Sequence, residues 1–394
     1  MPRFYRSFLA LFVALSLPLL GLGVFLAPDT SDLNRRPNQF PALEPARLAD
    51  VEYYRQISDA LGDRILARAF WRSLDATIDY RIFADAPNPR VTVGLDDWLF
   101  YEPALDVETR PDFEPQNVAG AVERIIGWGA QQGAETYYTF APNKATLYSE
   151  YLRPVDLERH KMGASRLASV RAQLSKQERF IDLWDVLQRA KSDRPPKALL
   201  YYPRDTHWNG SGASLAAGAI IETISPGLWN PDAVRIVRTE AGRQDLDRVA
   251  GLWRQSERPR TVARRRGVTL ELVRTGKPGE RFVRIWRASS SEEQPLIDRK
   301  LVLIHDSFGT ALHQMLPHYF EESAAVHING VHTPAAEAAI QDADIVVVLM
   351  VERSMYRIDP ETPMPPAKRA RDLQRLFQAI SRSENEKDGP ASEG

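Results

Sequence analysis

The stretch "IVVVLMV" (Ile345–Val351) is uncharged and mostly β-branched. A strand with one wet face alternates apolar and polar residues. An unbroken apolar run instead predicts a strand covered on both faces, as inside a parallel sheet. Similar runs lie nearby in "KLVLI" (Lys300–Ile304) and "AAVHIN" (Ala324–Asn329), and upstream in "ETYYTFAP" (Glu135–Pro142) and "ALLYYP" (Ala198–Pro203). Helical patterns intervene over Asn117–Gly133, about Ala164–Gln177 and about Ser211–Ile224. Strands alternating with helices predict a doubly wound α/β sheet. Before it, about Ala46–Phe83 reads as helical, with Ile57, Leu61, Ile65 and Leu66 at helical spacing, and "VTVGLDDWLFY" (Val91–Tyr101) reads as a hairpin.

The remaining segments divide the chain. Residues 230–299 carry many arginines and short alternating runs, "VTLELV" and "RFVRIW", and read as an insertion with β structure. The expected plan is a 1–28 anchor or signal, a 29–45 linker, a 46–360 domain containing that insertion, and a 361–394 tail ending in the polar "SRSENEKDGPASEG", expected to be disordered.

The 394 residues are 43% hydrophobic and 26% charged, ordinary for a globular protein, so a core is available. A net charge of −1 gives no global pull on nucleic acid. With no cysteine, disulfides, thiolate nucleophiles and Cys-ligated zinc are excluded. Arg3 and Arg6 precede an uncharged run from Phe8 to Ala27. About 20 apolar residues span a bilayer, and flanking arginines stay cytoplasmic. The run therefore reads as an uncleaved membrane anchor, with a cleaved signal peptide as the alternative. Either places the body outside the cytoplasm.

Two strand ends carry reactive side chains, and open α/β sheets bind ligands at the carboxyl ends of their strands. "ALLYYP" runs into Asp205 and His207; "KLVLI" runs into His305, Asp306 and Ser307. A serine just after a buried strand, with a helix following, suits a nucleophile beside helix N-terminal N–H groups. Its hydroxyl needs a base, which His207 supplies, and the histidine needs a carboxylate, which Asp205 supplies. The other roles for these residues are local: Asp205 or Asn209 capping the next helix, and Ser307 capping its own. Lys144 and Tyr148, just past a strand end, Trp208, able to stack on a sugar ring, and Arg353, after the strand Ile345–Val351, are candidate substrate contacts. The arginine-rich Arg254–Gly267 reads as a solvated loop, or as a surface for an anionic polysaccharide or lipid headgroups.

"DTHWNGSGA" (Asp205–Ala213) with "LIHDSFG" (Leu303–Gly309) resembles the alginate O-acetyltransferase family, the AlgX/AlgJ-like branch of SGNH hydrolase-fold proteins. "LNRRPNQFPAL" (Leu33–Leu43), "VTVGLDDWLFY", "APNKATLYSEYL" (Ala141–Leu152) and "GRQDLDRVAGL" (Gly242–Leu252) resemble further family segments in the expected order. The resemblance implies an SGNH hydrolase-like α/β/α sandwich with a parallel central sheet, and an Asp205–His207–Ser307 triad without cofactor or metal. It implies transfer of acetyl groups onto polysaccharide hydroxyls in the periplasm, from an inner-membrane anchor. The acetyl donor it implies is a multi-pass membrane O-acyltransferase; nucleic acid is not an implied partner. The family has glycine where this chain has His305. Acetyl ester hydrolysis by the same fold is one alternative. Others are a non-catalytic polysaccharide-binding scaffold, and a metal site built from Asp205, His207, His305 and Asp306.

Overall fold

The computed structural model describes residues 38–42, 50–62, 68–86, 88–106, 113–131, 133–252, 256–275, 283–291, 294–331 and 333–357. The anchor or signal run, most of the linker and the 361–394 tail lie outside the described residues. Among the described residues no helix is long and apolar enough to cross a membrane.

The chain divides into two compact units, residues 1–88 with 249–255, and residues 89–248 with 256–394. The expected 46–360 domain runs through both units. The first unit contains helices Val51–Gly62 and Arg68–Ile78, the latter running into a π-helical turn, Asp79–Phe83. Tyr53, Ala60, Ala76 and Tyr80 are buried, and Asn88 Nδ2 donates to the Val249 carbonyl at 2.7 Å.

The second unit has eleven strands among its described residues: β1 Val91–Val93, β2 Leu99–Tyr101, β3 Glu135–Ala141, β4 Phe180–Ile181, β5 Val234–Arg243, β6 Glu257–Arg265, β7 Val268–Thr275, β8 Val283–Ser290, β9 Leu301–His305, β10 Glu322–His327 and β11 Ile345–Val351. β1 and β2 form the expected hairpin. Asp96 and Asp97 at its tip have φ of 51° and 66°, a left-handed pair that aspartate tolerates and that matches strand twist.

The main sheet runs β4-β3-β11-β9-β10-β8-β7. The first five strands are parallel; β8 and β7 add an antiparallel edge. The central strands are parallel as expected, and the antiparallel edge makes the whole sheet mixed. Half of the expected insertion, β7 and β8, belongs to this sheet, because their alternating residues suit an edge with one solvated face. The other half, β5 and β6, pairs as a separate antiparallel ribbon.

β11 sits inside the sheet and all seven of its residues are buried. Ile345, Val347, Leu349 and Val351 join the core on one face, where Ala213, Ala216, Ala217, Ile220 and Ile221 of helix Gly210–Ile224 pack. Val346, Val348 and Met350 join the other core, with Val118, Val122 and Ile125 of helix Pro115–Gln131 and Val170 and Leu174 of helix Ala164–Leu174. This two-sided burial is what the unbroken apolar run predicts. "ALLYYP" does not join the sheet. Tyr201 makes only an isolated antiparallel bridge to Trp208, which folds Tyr201–Trp208 into a tight loop.

Candidate active site

The loop places its side chains through local hydrogen bonds. Asp205 Oδ1 accepts from the His207 backbone N–H at 3.0 Å and from His207 Nδ1 at 2.7 Å, so the carboxylate bends back on the histidine two residues later. The Tyr202 N–H donates to the His207 carbonyl and the Asn209 N–H to the Leu200 carbonyl, closing the turn. Lys144 Nζ donates to the carbonyls of Tyr202, Pro203 and Asp205 at 3.2, 2.7 and 2.7 Å.

Ser307 follows β9 and opens a 3-10 helix, Ser307–Gln314. The helix cap is Asp306, whose Oδ1 accepts from the Phe308 N–H, while its Oδ2 accepts from the Val351 N–H on the neighbouring strand. Asn209 caps helix Gly210–Ile224 through the Ser211 and Gly212 N–H groups. The capping roles considered for Asp205 and Ser307 therefore fall to Asn209 and Asp306. Ser307 is exposed, and its Oγ lies 2.9 Å from His207 Nε2. Asp205, His207 and Ser307 form one continuous hydrogen-bonded line.

Asp205 is fully buried. Burial by itself disfavours its charge. The hydrogen bond and charge of His207, the nearby Arg258 guanidinium and the Asp245 N–H outweigh burial and hold the carboxyl well below the usual carboxylate range. Asp205 Oδ2 accepts from the Asp245 N–H at 2.9 Å and from Arg258 Nη1 at 3.3 Å. Phe308 backs the imidazole, with ring centroids 4.8 Å apart.

Three residues expected as substrate contacts are buried. Lys144 and Tyr148 are buried; Lys144 holds the loop carbonyls, and the Tyr148 hydroxyl accepts from the Leu200 N–H. Trp208 is buried, donates from Nε1 to the Phe308 carbonyl at 3.1 Å, and stacks edge-on against the Phe308 ring. Each fastens the loop in place. Arg353 is part exposed, its guanidinium 5.3 Å from the Phe308 ring and 5.2 Å from Tyr101. Its neighbour Glu352 is buried and accepts from Asn143, Thr146 and Trp184.

His305, where the family has glycine, is buried with its Nε2 2.7 Å from that of His313, and its Nδ1 contacts the Asp306 carbonyl. Gly309 accommodates it: a Cβ there would lie 2.3 Å from the His305 Cβ. Burial pushes His305 down to about 3 and His313 well below the ordinary histidine range.

The alternative metal set does not converge, because His305 and Asp306 turn to these other partners. Among the described residues the one group with metal-ligand spacing is Asp205, His207 and Asp245. Its four carboxylate oxygens already accept protein donors: His207, the Asp245 N–H, Arg258 and Thr206. Sequence reasoning gave no part in the site to Asp245, Thr206 or Arg258. The "QDL" of Gln244–Leu246 was the available signal, without a reason to tie it to His207.

Residues 91–276 match the profile of the SGNH hydrolase-like domain of acetyltransferase AlgX. This chain is similar to the AlgX/AlgJ-like family. The matched residues contain Asp205 and His207 and end before Ser307. The chain is 29% identical over 175 residues to a probable alginate O-acetylase AlgJ of Pseudomonas putida, and 29% identical over 181 residues to that of Azotobacter vinelandii. These stretches cover 42% and 43% of this chain, and the chain spans about two fifths (42%) of the length of either relative. Among solved structures, the O-acetyltransferase domain of Pseudomonas putida AlgJ superposes with a TM-score of 0.45 at 19% identity, covering 75% of this chain and 100% of that one. Bacillus cereus PatB1 superposes at 0.46 with 15% identity, covering 66% and 96%.

Proposed function

We propose that this AlgX/AlgJ-like chain is an O-acetyltransferase that moves an acetyl group onto a polysaccharide hydroxyl through an acyl-serine. The observation that carries the reading is the line from Asp205 Oδ1 through His207 to Ser307 Oγ, with links of 2.7 and 2.9 Å. Both lie within hydrogen-bond reach for a nucleophile and its base.

In the first half-reaction His207 Nε2 takes the Ser307 Oγ proton as Oγ bonds to the acetyl carbonyl carbon. The tetrahedral intermediate collapses; the bond to the donor's leaving oxygen breaks, and that oxygen receives the proton from Nε2. In the second, Nε2 takes the proton of a sugar hydroxyl as its oxygen attacks the acyl carbon. Ser307 Oγ leaves and recovers the proton. Asp205 accepts the Nδ1 proton throughout and stabilises the imidazolium. The N–H of Ser307, at the start of its helix, serves as an oxyanion donor. No step requires a metal or an organic cofactor.

The similarity to the AlgX/AlgJ-like family supports a polysaccharide acceptor, with alginate the first to test. The uncharged run Phe8–Ala27 supports an inner-membrane anchor holding the domain in the periplasm, beside a multi-pass membrane O-acyltransferase as donor. The exposure of Ser307 favours hydrolysis as a competing outcome, since water reaches the same carbon.

The test is the chain incubated with an activated acetyl ester and followed by intact mass. Wild type is expected to gain one acetyl, and Ser307→Ala and His207→Ala none. Adding alginate oligosaccharide is expected to divert the acetyl group from water to the sugar, giving acetylated sugar in place of acetate. A folded wild type that takes no acetyl would overturn the reading.

A further inference from the structure

His207 faces more than one carboxylate. Its Nδ1 lies 2.7 Å from Asp205 Oδ1 and 3.5 Å from Asp245 Oδ2. Asp245 comes from a separate segment, the helix Asp245–Val249, yet bonds to the whole Asp205–His207 turn. Its N–H donates to Asp205 Oδ2, and its Oδ1 accepts the Thr206 N–H at 2.7 Å. Its Oδ2 accepts the Thr206 hydroxyl at 2.5 Å. That hydroxyl has one proton, and Asp245 takes it. The Thr206 Oγ1 lone pair is then left facing His207 Nδ1, 3.1 Å away. The imidazole N–H thus points into a cluster of three oxygens, one from each of Asp205, Thr206 and Asp245.

We infer that Asp245 is a second carboxylate for His207: a positioning residue that holds the Asp205–His207 turn, adds negative charge beside the imidazolium, and takes over the Nδ1 proton when Asp205 cannot accept it. The inference rests on the triad reading above. Opposite charge within ~4–6 Å favours the charged form of a group, and 3.5 Å is inside that range. The other charged groups around the ring do not replace it. Arg258, from β6, is cationic and lies on the far oxygen of Asp205. Arg353 is cationic and lies beyond Phe308. The Lys144 ammonium bonds to the Asp205 carbonyl rather than to the imidazole. Arg258 draws charge away from Asp205, which makes a second anion at Nδ1 matter more.

The arrangement changes what an asparagine at Asp205 should do. Where nothing stands behind the triad aspartate, its replacement by asparagine drops the rate about 10⁴-fold, since the imidazole is held in the wrong tautomer. Here Asp245 Oδ2, 3.5 Å from Nδ1, can turn to accept its proton and keep the Nε2 lone pair towards Ser307. Asp205→Asn should therefore lose only about 10²-fold. Asp245→Asn alone should lose about tenfold, and the double variant should fall to about 10⁴-fold, more than the product of the two singles.

The experiment measures acetyl ester turnover for these three variants in the full chain. In parallel, NMR follows the low-field His207 Nδ1–H resonance in wild type and Asp245→Asn. Asparagine keeps the oxygen that accepts the Thr206 N–H; Asp245→Ser serves if Asp245→Asn melts below the assay temperature. The expected results are the greater-than-multiplicative loss and a displaced Nδ1–H resonance without the Asp245 charge. A double variant no worse than Asp205→Asn, or an unmoved resonance, would overturn the inference. Turnover that survives Ser307→Ala would sink the triad reading instead, and the resonance would still decide the role of Asp245.

Discussion

At the scale of single residues, burial separates the groups that bind the fold from those left to react. Lys144 has its whole ammonium taken up by three loop carbonyls, and burial lowers it to about 7 even though Asp205 and Asp245 lie near. Lys144→Met should destabilise the protein by about 2–4 kcal/mol in urea unfolding, because the buried Asp205 carbonyl loses its donor and those of Tyr202 and Pro203 each lose one of two. Acetyl transfer should fall with it, the loop carrying Asp205 being released. Trp208→Phe should keep the packing and lose the bond to the Phe308 carbonyl. It should cost about 1 kcal/mol of stability, with KM for the sugar acceptor unchanged if the ring is structural. A raised KM would restore Trp208 as a sugar contact.

Elements meet at a few close approaches, and these fix how the site is framed. Gly129 in helix Pro115–Gln131 leaves no room above β3: a Cβ would lie 1.6 Å from Thr136 Oγ1. Gly129→Ala should cost about 1–3 kcal/mol in thermal or urea unfolding by forcing the helix off the sheet. Behind the serine, β9 and the following helix bring His305 and His313 together as a buried pair. Both are held below the ordinary value of 6.5, so the unfolded chain binds more protons than the folded one as pH drops through 6.5 towards 3. Stability is therefore complete above about 6.5 and is lost as pH falls below it, by about 1.4 kcal/mol per histidine per pH unit. The melting temperature should decline from pH 6.5 to 5, and His313→Leu should flatten that decline. Asp205, depressed in the fold, adds its own loss only below the carboxylate range.

At the scale of the second unit, Arg204 ties distant segments together. Buried itself, it pairs through Nε with the fully buried Asp247 at 2.6 Å, and through Nη1 with Asp97 at the hairpin tip at 2.8 Å. Arg204→Met would strand a buried carboxylate, which costs about 3–5 kcal/mol. The melting temperature should drop, and activity should fall because Asp245 lies two residues from Asp247. The sequence by itself determined the central strands. "IVVVLMV" can bury both faces only inside a sheet, and β11 does. It also carried, through short segments, the family resemblance, and it determined the pairing of Asp205 with His207, since residues two apart bend onto one another locally. It did not reveal that "ALLYYP" folds into a loop, that β7 and β8 join the main sheet, or that Lys144, Tyr148 and Trp208 face inward. Propensity describes a residue's own backbone, whereas these outcomes depend on which partner strand or carbonyl arrives from elsewhere. Only the tertiary structure decided that His207 meets Ser307 across 100 residues of chain, and that Asp245 closes in from a third segment. Hydrogen-bond reach is about 3 Å, and no sequence spacing encodes a distance that folding alone creates.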